Sequence, residues 1–196
     1  GLPIVGAADH EADDVLAALA TQHDGPSLVV TGDRDLFQLA DEHTSIVYVA
    51  RSVANHELVT PEVLATKYGL APGRYVDFSV LRGDPSDGLP GVPGVGEKTA
   101  ATLLAQHGSL ENIMAAAHDP KSKMSKAFRT KLLAATDYIE AAEPVVRVAT
   151  GCDVDFSTPD DTLPLAAGQP RKVAELAQTY GVTSSIGRLQ TALDGL

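Results

Sequence analysis

Along the first fifty residues the hydrophobic pattern switches repeatedly between strand and helix periods. Pro3 to Val5 reads as a strand, Glu11 to Gln22 as a helix and Ser27-Leu28-Val29-Val30-Thr31 as a β-rich run. A short helix from Asp35 to Ala40 and a strand from Ser45 to Val49 follow. Strands alternating with helices imply a parallel α/β sheet. Thr60-Pro61-Glu62 supplies an N-cap, a proline at the first helical position and a first-turn acid, predicting a helix to about Tyr68; Pro72 starts another, to about Arg82. Gly83 to Gly96, rich in Gly, Pro and Asp, is a loop that separates the α/β part from a helical part. There the pattern predicts helices over Glu97–Gln106, Ser109–Ala117 and Ser125–Ala142, the last two opening with serine N-caps. Pro144 to Ala149 reads as a late strand, Asp153 to Pro164 as polar loop, and Arg171–Tyr180 and Ser184–Leu193 as helices.

With 196 residues, 44% of them apolar, the chain can bury a full core. No run approaches the roughly 18 apolar residues of a membrane helix, and no basic-then-apolar segment suggests secretion. The single cysteine, Cys152, excludes an internal disulfide, and the six histidines are scattered without zinc-site spacing. The expectation is a cytoplasmic (nucleoid) protein without a membrane partner. The chain opens on Gly1-Leu2-Pro3 with no start methionine, so further residues, including a leading strand, are expected upstream.

A net charge of −11 argues at first against a polyanionic partner, but its distribution changes that picture. Residues 1–87 carry 14 acids against 5 bases, whereas residues 88–147 carry 6 against 7. The excess lies with three acidic clusters: Glu11-Ala12-Asp13-Asp14, Gly32-Asp33-Arg34-Asp35 and Gly83-Asp84-Pro85-Ser86-Asp87. Two divalent cations would offset about four of those charges and invert the local field.

Each cluster has an ordinary explanation. Acids in a first helical turn favour the helix dipole, Gly-Asp-x-Asp caps helices, and Gly-Asp-Pro-Ser-Asp-Gly is a turn. Glu11 and Asp13, two residues apart, can share an ion only where the helix begins and Glu11 is not yet helical. Asp33 and Asp35 follow the apolar strand directly, at the carboxyl end where open parallel sheets form their ligand crevices. Three acidic turns, each at an element boundary, point beyond capping to hard cations.

The hairpin Gly91-Val92-Pro93-Gly94-Val95-Gly96-Glu97-Lys98-Thr99-Ala100 is the most specific feature. Its glycines permit close backbone approach and the following helix start offers N–H groups to phosphate oxygens, a reading of shape rather than base sequence. The run Lys121, Lys123, Lys126, Arg129 and Lys131 reads as a solvated face, and the five tyrosines as core. Acids and hairpin together read as a metal-dependent nuclease.

These motifs, in their order and approximate spacing, resemble the bacterial flap endonuclease/5′→3′ exonuclease family, which also forms the N-terminal domain of bacterial DNA polymerase I. The resemblance implies a Rossmann-like (PIN/flap-nuclease-like) α/β sheet, here incomplete at its N-terminus, with a helix-hairpin-helix (helix-three-turn-helix) subdomain. It divides the chain into 1–87, the C-terminal portion of the metal-binding core; 88–143, the DNA-binding subdomain; and 144–196, a returning strand and terminal helices. It implies two or three Mg²⁺ or Mn²⁺ ions, with Glu11 and Asp13 in one site, Asp33, Asp35 and Asp84 in the other, and Asp14 and Asp87 as additional or water-mediated ligands. Duplex DNA with a 5′ flap or 5′ end would contact Gly91, Val92, Gly94, Val95, Gly96, Lys98 and Thr99, with K⁺ at the Val92 and Val95 carbonyls. A monomer is expected. Gly88 stands where many bacterial relatives have asparagine, which implies a changed turn and no lost ligand. A non-catalytic DNA-binding module and a PIN-like ribonuclease are the alternative readings.

Overall fold

The computed structural model describes residues 3–156 and 169–195. Its elements in chain order are β1 (Val5–Gly6), α1 (Ala12–Gln22), β2 (Ser27–Thr31), β3 (Thr44–Tyr48), β4 (Glu57–Val59), α2 (Pro61–Val63), α3 (Tyr75–Arg82), α4 (Glu97–His107), α5 (Leu110–His118), α6 (Lys126–Ala134), α7 (Thr136–Val146), β5 (Asp155–Phe156), α8 (Pro170–Thr179) and α9 (Thr183–Leu193). They form two compact units, His10–Cys152, and Gly1–Asp9 together with Asp153–Leu196.

In the larger unit β2 pairs with β3 in parallel, Ser27 opposite Thr44 and Thr31 opposite Tyr48, and β4 adds antiparallel to β3. The β4 segment Glu57-Leu58-Val59 is too short to show a period, and its pairing is not legible without β3 beside it. One sheet face buries Val29, Ile46 and Val59; the other carries Leu28, Val30 and Leu58 exposed. The buried face packs into a core with Phe37, Leu64, Leu70, Phe78, Val80 and Leu81, which continues through Leu104, Ile113, Leu132 and Ile139 of the helical part. Phe37, Tyr48, Tyr68, Tyr75 and Phe78 form an aromatic cluster of edge-on and tilted ring pairs with centroids 5.1–6.5 Å apart.

Four expectations need correction. The Pro3–Val5 strand contributes nothing to the parallel sheet: in the smaller unit Val5 and Gly6 pair antiparallel with Phe156 and Asp155. Pro144–Ala149 is not a strand, because Pro144, Val145 and Val146 complete α7. Proline near a helix end forfeits one backbone hydrogen bond, and Val146 is buried at helical spacing from Ile139 and Ala142. The helix expected over Ser125–Ala142 is interrupted at Ala135, which ends α6 and precedes α7. The two halves pack on different partners, α6 on α5 and α7 on α3, so the axis must turn. Finally, Tyr180 is 73% exposed rather than core. The expected polar loop beyond Phe156 lies outside the described residues. Among those residues no helix is long and apolar enough to cross a membrane.

Candidate active site

All three acidic clusters lie in the larger unit, and the fold brings them together. Glu11 is the N-cap of α1, extended at φ −82°, ψ 165°, so its side chain leaves the helix axis and faces the same cleft as Asp13. Glu11 and Asp14 close a reciprocal capping box, in which the Glu11 N–H donates to Asp14 Oδ2 at 3.1 Å. Asp14 Oδ1 accepts from the Ala149 N–H at 2.7 Å, 135 residues away. Both Asp14 oxygens therefore hold backbone, and the segment after α7 is pinned along the cleft wall.

The second cluster follows the carboxyl end of β2. The Asp33 N–H donates to Thr31 Oγ1 at 3.0 Å, and Asp33 Oδ1 accepts from the Asp35 N–H at 2.9 Å, which starts the 3₁₀ turn Asp35–Leu39. Leu36 and Phe37 bury beneath that turn and fix its orientation.

The third cluster is held by a neck of two glycines. Gly83 (φ +78°) and Gly91 (φ +70°) lie back to back: a Cβ on Gly83 would come within 2.4 Å of the Gly91 nitrogen, and one on Gly91 within 2.3 Å of the Arg82 carbonyl oxygen. Only glycine fits either position. The Val92 N–H donates to the Leu81 carbonyl at 3.0 Å and the Tyr138 hydroxyl to the Val80 carbonyl at 3.0 Å, closing the neck. Within the loop, Asp84 Oδ1 accepts from the Ser86 N–H at 3.1 Å and from the Ser86 hydroxyl, and Oδ2 accepts from Arg82 at 3.1 Å. Gly88 is left-handed at φ +73°, a conformation that asparagine also tolerates.

Glu11, Asp13, Asp14, Asp33, Asp35 and Asp87 line one cleft of about 430 Å³ with Leu89 and Pro144–Ala149. Carboxylate oxygens of Asp35, Asp84 and Asp87 lie within 4.8 Å of one another. Like charges at that range oppose ionisation. Burial first, then Asp33, Asp87 and Asp84, push the Asp35 carboxyl up to about 6, against the opposing pull of Arg82. Asp13 is also raised, by burial first and then by Asp33, Glu11 and Asp14. Asp84 is lowered, chiefly by its Ser86 hydrogen bond. The donor set is all carboxylate oxygen, which suits hard divalent cations, and a cation would relieve the repulsion among these groups.

In the hairpin, Val92 and Val95 are 2% and 4% exposed and anchor the turn in the core. Pro93, Gly94, Gly96 and Lys98 are exposed, Gly91 is buried in the neck and Thr99 is half-buried. Gly96 caps α4 without a side chain, so no hydroxyl or carboxylate covers the first-turn amides. The ammonium of Lys131, on α6, lies 2.9 Å from where a Cβ on Gly94 would stand. Sequence reasoning missed the Pro144–Ala149 wall, whose valines read as a strand, and Arg82. The signal for Arg82 was a lone arginine ending an apolar helix directly before Gly-Asp.

Comparison with known proteins gives concordant matches. Residues 1–69 match the model of the 5′-3′ exonuclease N-terminal resolvase-like domain, and residues 70–171 that of the 5′-3′ exonuclease C-terminal SAM fold. A 5′-3′ exonuclease of Mycobacterium tuberculosis (strain ATCC 25618 / H37Rv) is 56% identical across 100% of this chain and 64% of its own length. The chain thus spans less than two thirds of that relative. DNA polymerase I of Mycobacterium bovis is 41% identical across 84% of this chain and 18% of its own length. Among solved structures, T5 5′-exonuclease with bound divalent metal ions (zinc) superposes with a TM-score of 0.57 at 18% identity, covering 70% of this chain and 49% of that one. The catalytic core of Rad2 in complex with DNA substrate gives 0.55 at 19%, covering 86% and 55%. At those identities the likeness is one of fold.

Proposed function

The chain belongs to the 5′-3′ exonuclease family, and on that footing we propose that it is the greater part of a structure-specific DNA 5′-nuclease. Its activity would be 5′→3′ exonuclease and flap-endonuclease cleavage in DNA replication and repair, in the cytoplasm (nucleoid). The observation that carries this reading is the convergence of carboxylate oxygens of Asp35, Asp84 and Asp87, from two separate turns, to within 4.8 Å, with Asp35 and Asp87 lining the cleft that Glu11, Asp13 and Asp33 also line.

Two Mg²⁺ or Mn²⁺ ions would supply the charge that activates water and stabilises the departing 3′-oxygen. Glu11 and Asp13 would hold one, and Asp33, Asp35 and Asp84 the other. Asp87 would support the second site. Asp14, whose two oxygens each accept one backbone N–H, would act through the α1 start and the Ala149 segment of the cleft wall that it fixes. The hairpin would grip duplex phosphates with the exposed backbone at Gly94 and Gly96, the α4 first-turn amides and Lys98, while Val92 and Val95 anchor it and offer carbonyls to K⁺. Affinity spent on the sugar-phosphate backbone selects for duplex shape.

The test uses the complete protein and its Asp84→Asn variant on a 5′-flap duplex with Mn²⁺. Cleavage by the parent with binding but no cleavage by the variant supports the reading. Equal cleavage by both removes it, and a preference for single-stranded RNA would replace it with a ribonuclease.

A further inference from the structure

We infer that Arg82 is a positioning residue that aims the Asp84 carboxylate at the cation site and ties it to the first turn of the hairpin helix α4. The inference rests on the cation site proposed above. Only 12% of the Arg82 side chain is exposed, and its planar fork is used on every side. Nε donates to the Gly83 carbonyl at 3.0 Å, one terminal nitrogen to Asp84 Oδ2 at 3.1 Å, and the other faces Glu97 Oε1 at 3.7 Å. The guanidinium carbon also lies over the buried Phe78 ring, 5.4 Å from its centroid, a further contact that restrains it.

Ser86 holds the other Asp84 oxygen, Oδ1, with both its N–H and its hydroxyl, so Oδ2, whose one hydrogen-bond partner is Arg82, is the oxygen that keeps a lone pair for the cation. Asp84 is thereby clamped from two sides. The hairpin between Asp84 and Glu97 spans twelve intervening residues, and Arg82 short-circuits it through a single side chain. Outer partners of this kind orient a ligating carboxylate, and their loss costs about 10–100-fold in metal affinity.

Arg82→Lys isolates the geometry from the charge. Lysine keeps the positive charge but is a point donor that cannot bridge Gly83, Asp84 and Glu97 together. Mn²⁺ affinity of the complete protein, measured by calorimetry without DNA, is expected to fall about tenfold in Arg82→Lys. Duplex affinity in chelator, which depends on the hairpin, is expected to stay unchanged. Unchanged Mn²⁺ affinity overturns the inference, whether Arg82 proves a mere counter-charge or a mere brace between α3 and α4. A parent that takes up no Mn²⁺ overturns the cation site and this role with it, an outcome distinct from a parent that binds and a variant that binds equally. If Arg82→Lys fails to fold, Glu97→Gln removes only the exposed arm: a loss of about twofold or more supports the inference and no loss overturns it.

Discussion

Replacing Asp35 by asparagine should make the metal-free protein more stable at neutral pH while impairing cation uptake. Asp35 is half-buried, and its carboxyl is raised from 3.8 to about 6, first by burial and then by Asp33, Asp87 and Asp84. Below pH 3.8 the group is neutral in both folded and unfolded chains and costs nothing. Between 3.8 and 6 the unfolded chain releases its proton while the folded one retains it, so stability falls as pH rises; above 6 the folded state carries the full penalty. A shift of about 2 units at 1.36 kcal/mol each is about 3 kcal/mol, which solvent screening of a half-exposed group reduces to about 1–2 kcal/mol. For a chain of this size that is a rise of roughly 2–8 °C in melting temperature. The assay is thermal unfolding of parent and Asp35→Asn in chelator at pH 4 and pH 8, then at pH 8 with saturating Mn²⁺. The variant should melt higher at pH 8, by a much smaller margin at pH 4, and gain less from Mn²⁺. A variant that melts below the parent at pH 8 in chelator, or by the same margin at both pH values, would refute the claim that these carboxylates strain one another.

Three other substitutions probe separate parts of the site. Gly83→Ala drives a Cβ to 2.4 Å from the Gly91 nitrogen at φ +78° and should cost at least about 2 kcal/mol by urea unfolding and weaken Mn²⁺ binding together; a stable variant would show that the neck can open. Gly94→Val meets only the movable Lys131 ammonium, but at φ +81° it strains the turn by about 1–3 kcal/mol; duplex affinity in a salt series should drop with Mn²⁺ affinity unchanged, and parallel losses of both would contradict a separate DNA grip. Asp14→Ala releases the Ala149 N–H and one arm of the capping box, and should cost about 1–3 kcal/mol in denaturant titration; unaltered stability would mean that Asp14 is no structural pin.

Much of the local structure was legible because local rules govern it. The five-residue run Ser27–Thr31 is the strand expected, Thr60-Pro61 starts a helix as its N-cap chemistry requires, and Ser109 and Ser125 accept from Asn112 and Phe128 N–H groups as caps. The errors share one cause. The strand expected over Pro144–Ala149 and the single helix expected over Ser125–Ala142 rest on local pattern alone, whereas neighbours decide both: α7 turns away from α6 to reach α3. The pairing of Val5–Gly6 with a strand 150 residues later has no local signature at all.

The chain's own order of residues determined which chemistry was available: carboxylates at three element boundaries, glycines where the backbone turns left-handed, and a hairpin with apolar anchors. Tertiary structure alone decided that Asp35 meets Asp84 and Asp87, that Asp14 serves Ala149, and that Arg82 reaches two partners on either side of the hairpin. The physical reason is range. Capping, turn strain and periodicity act over a few neighbouring residues, while repulsion between carboxylates and the reach of a guanidinium depend on distances through space, which are fixed only once the shared core is packed.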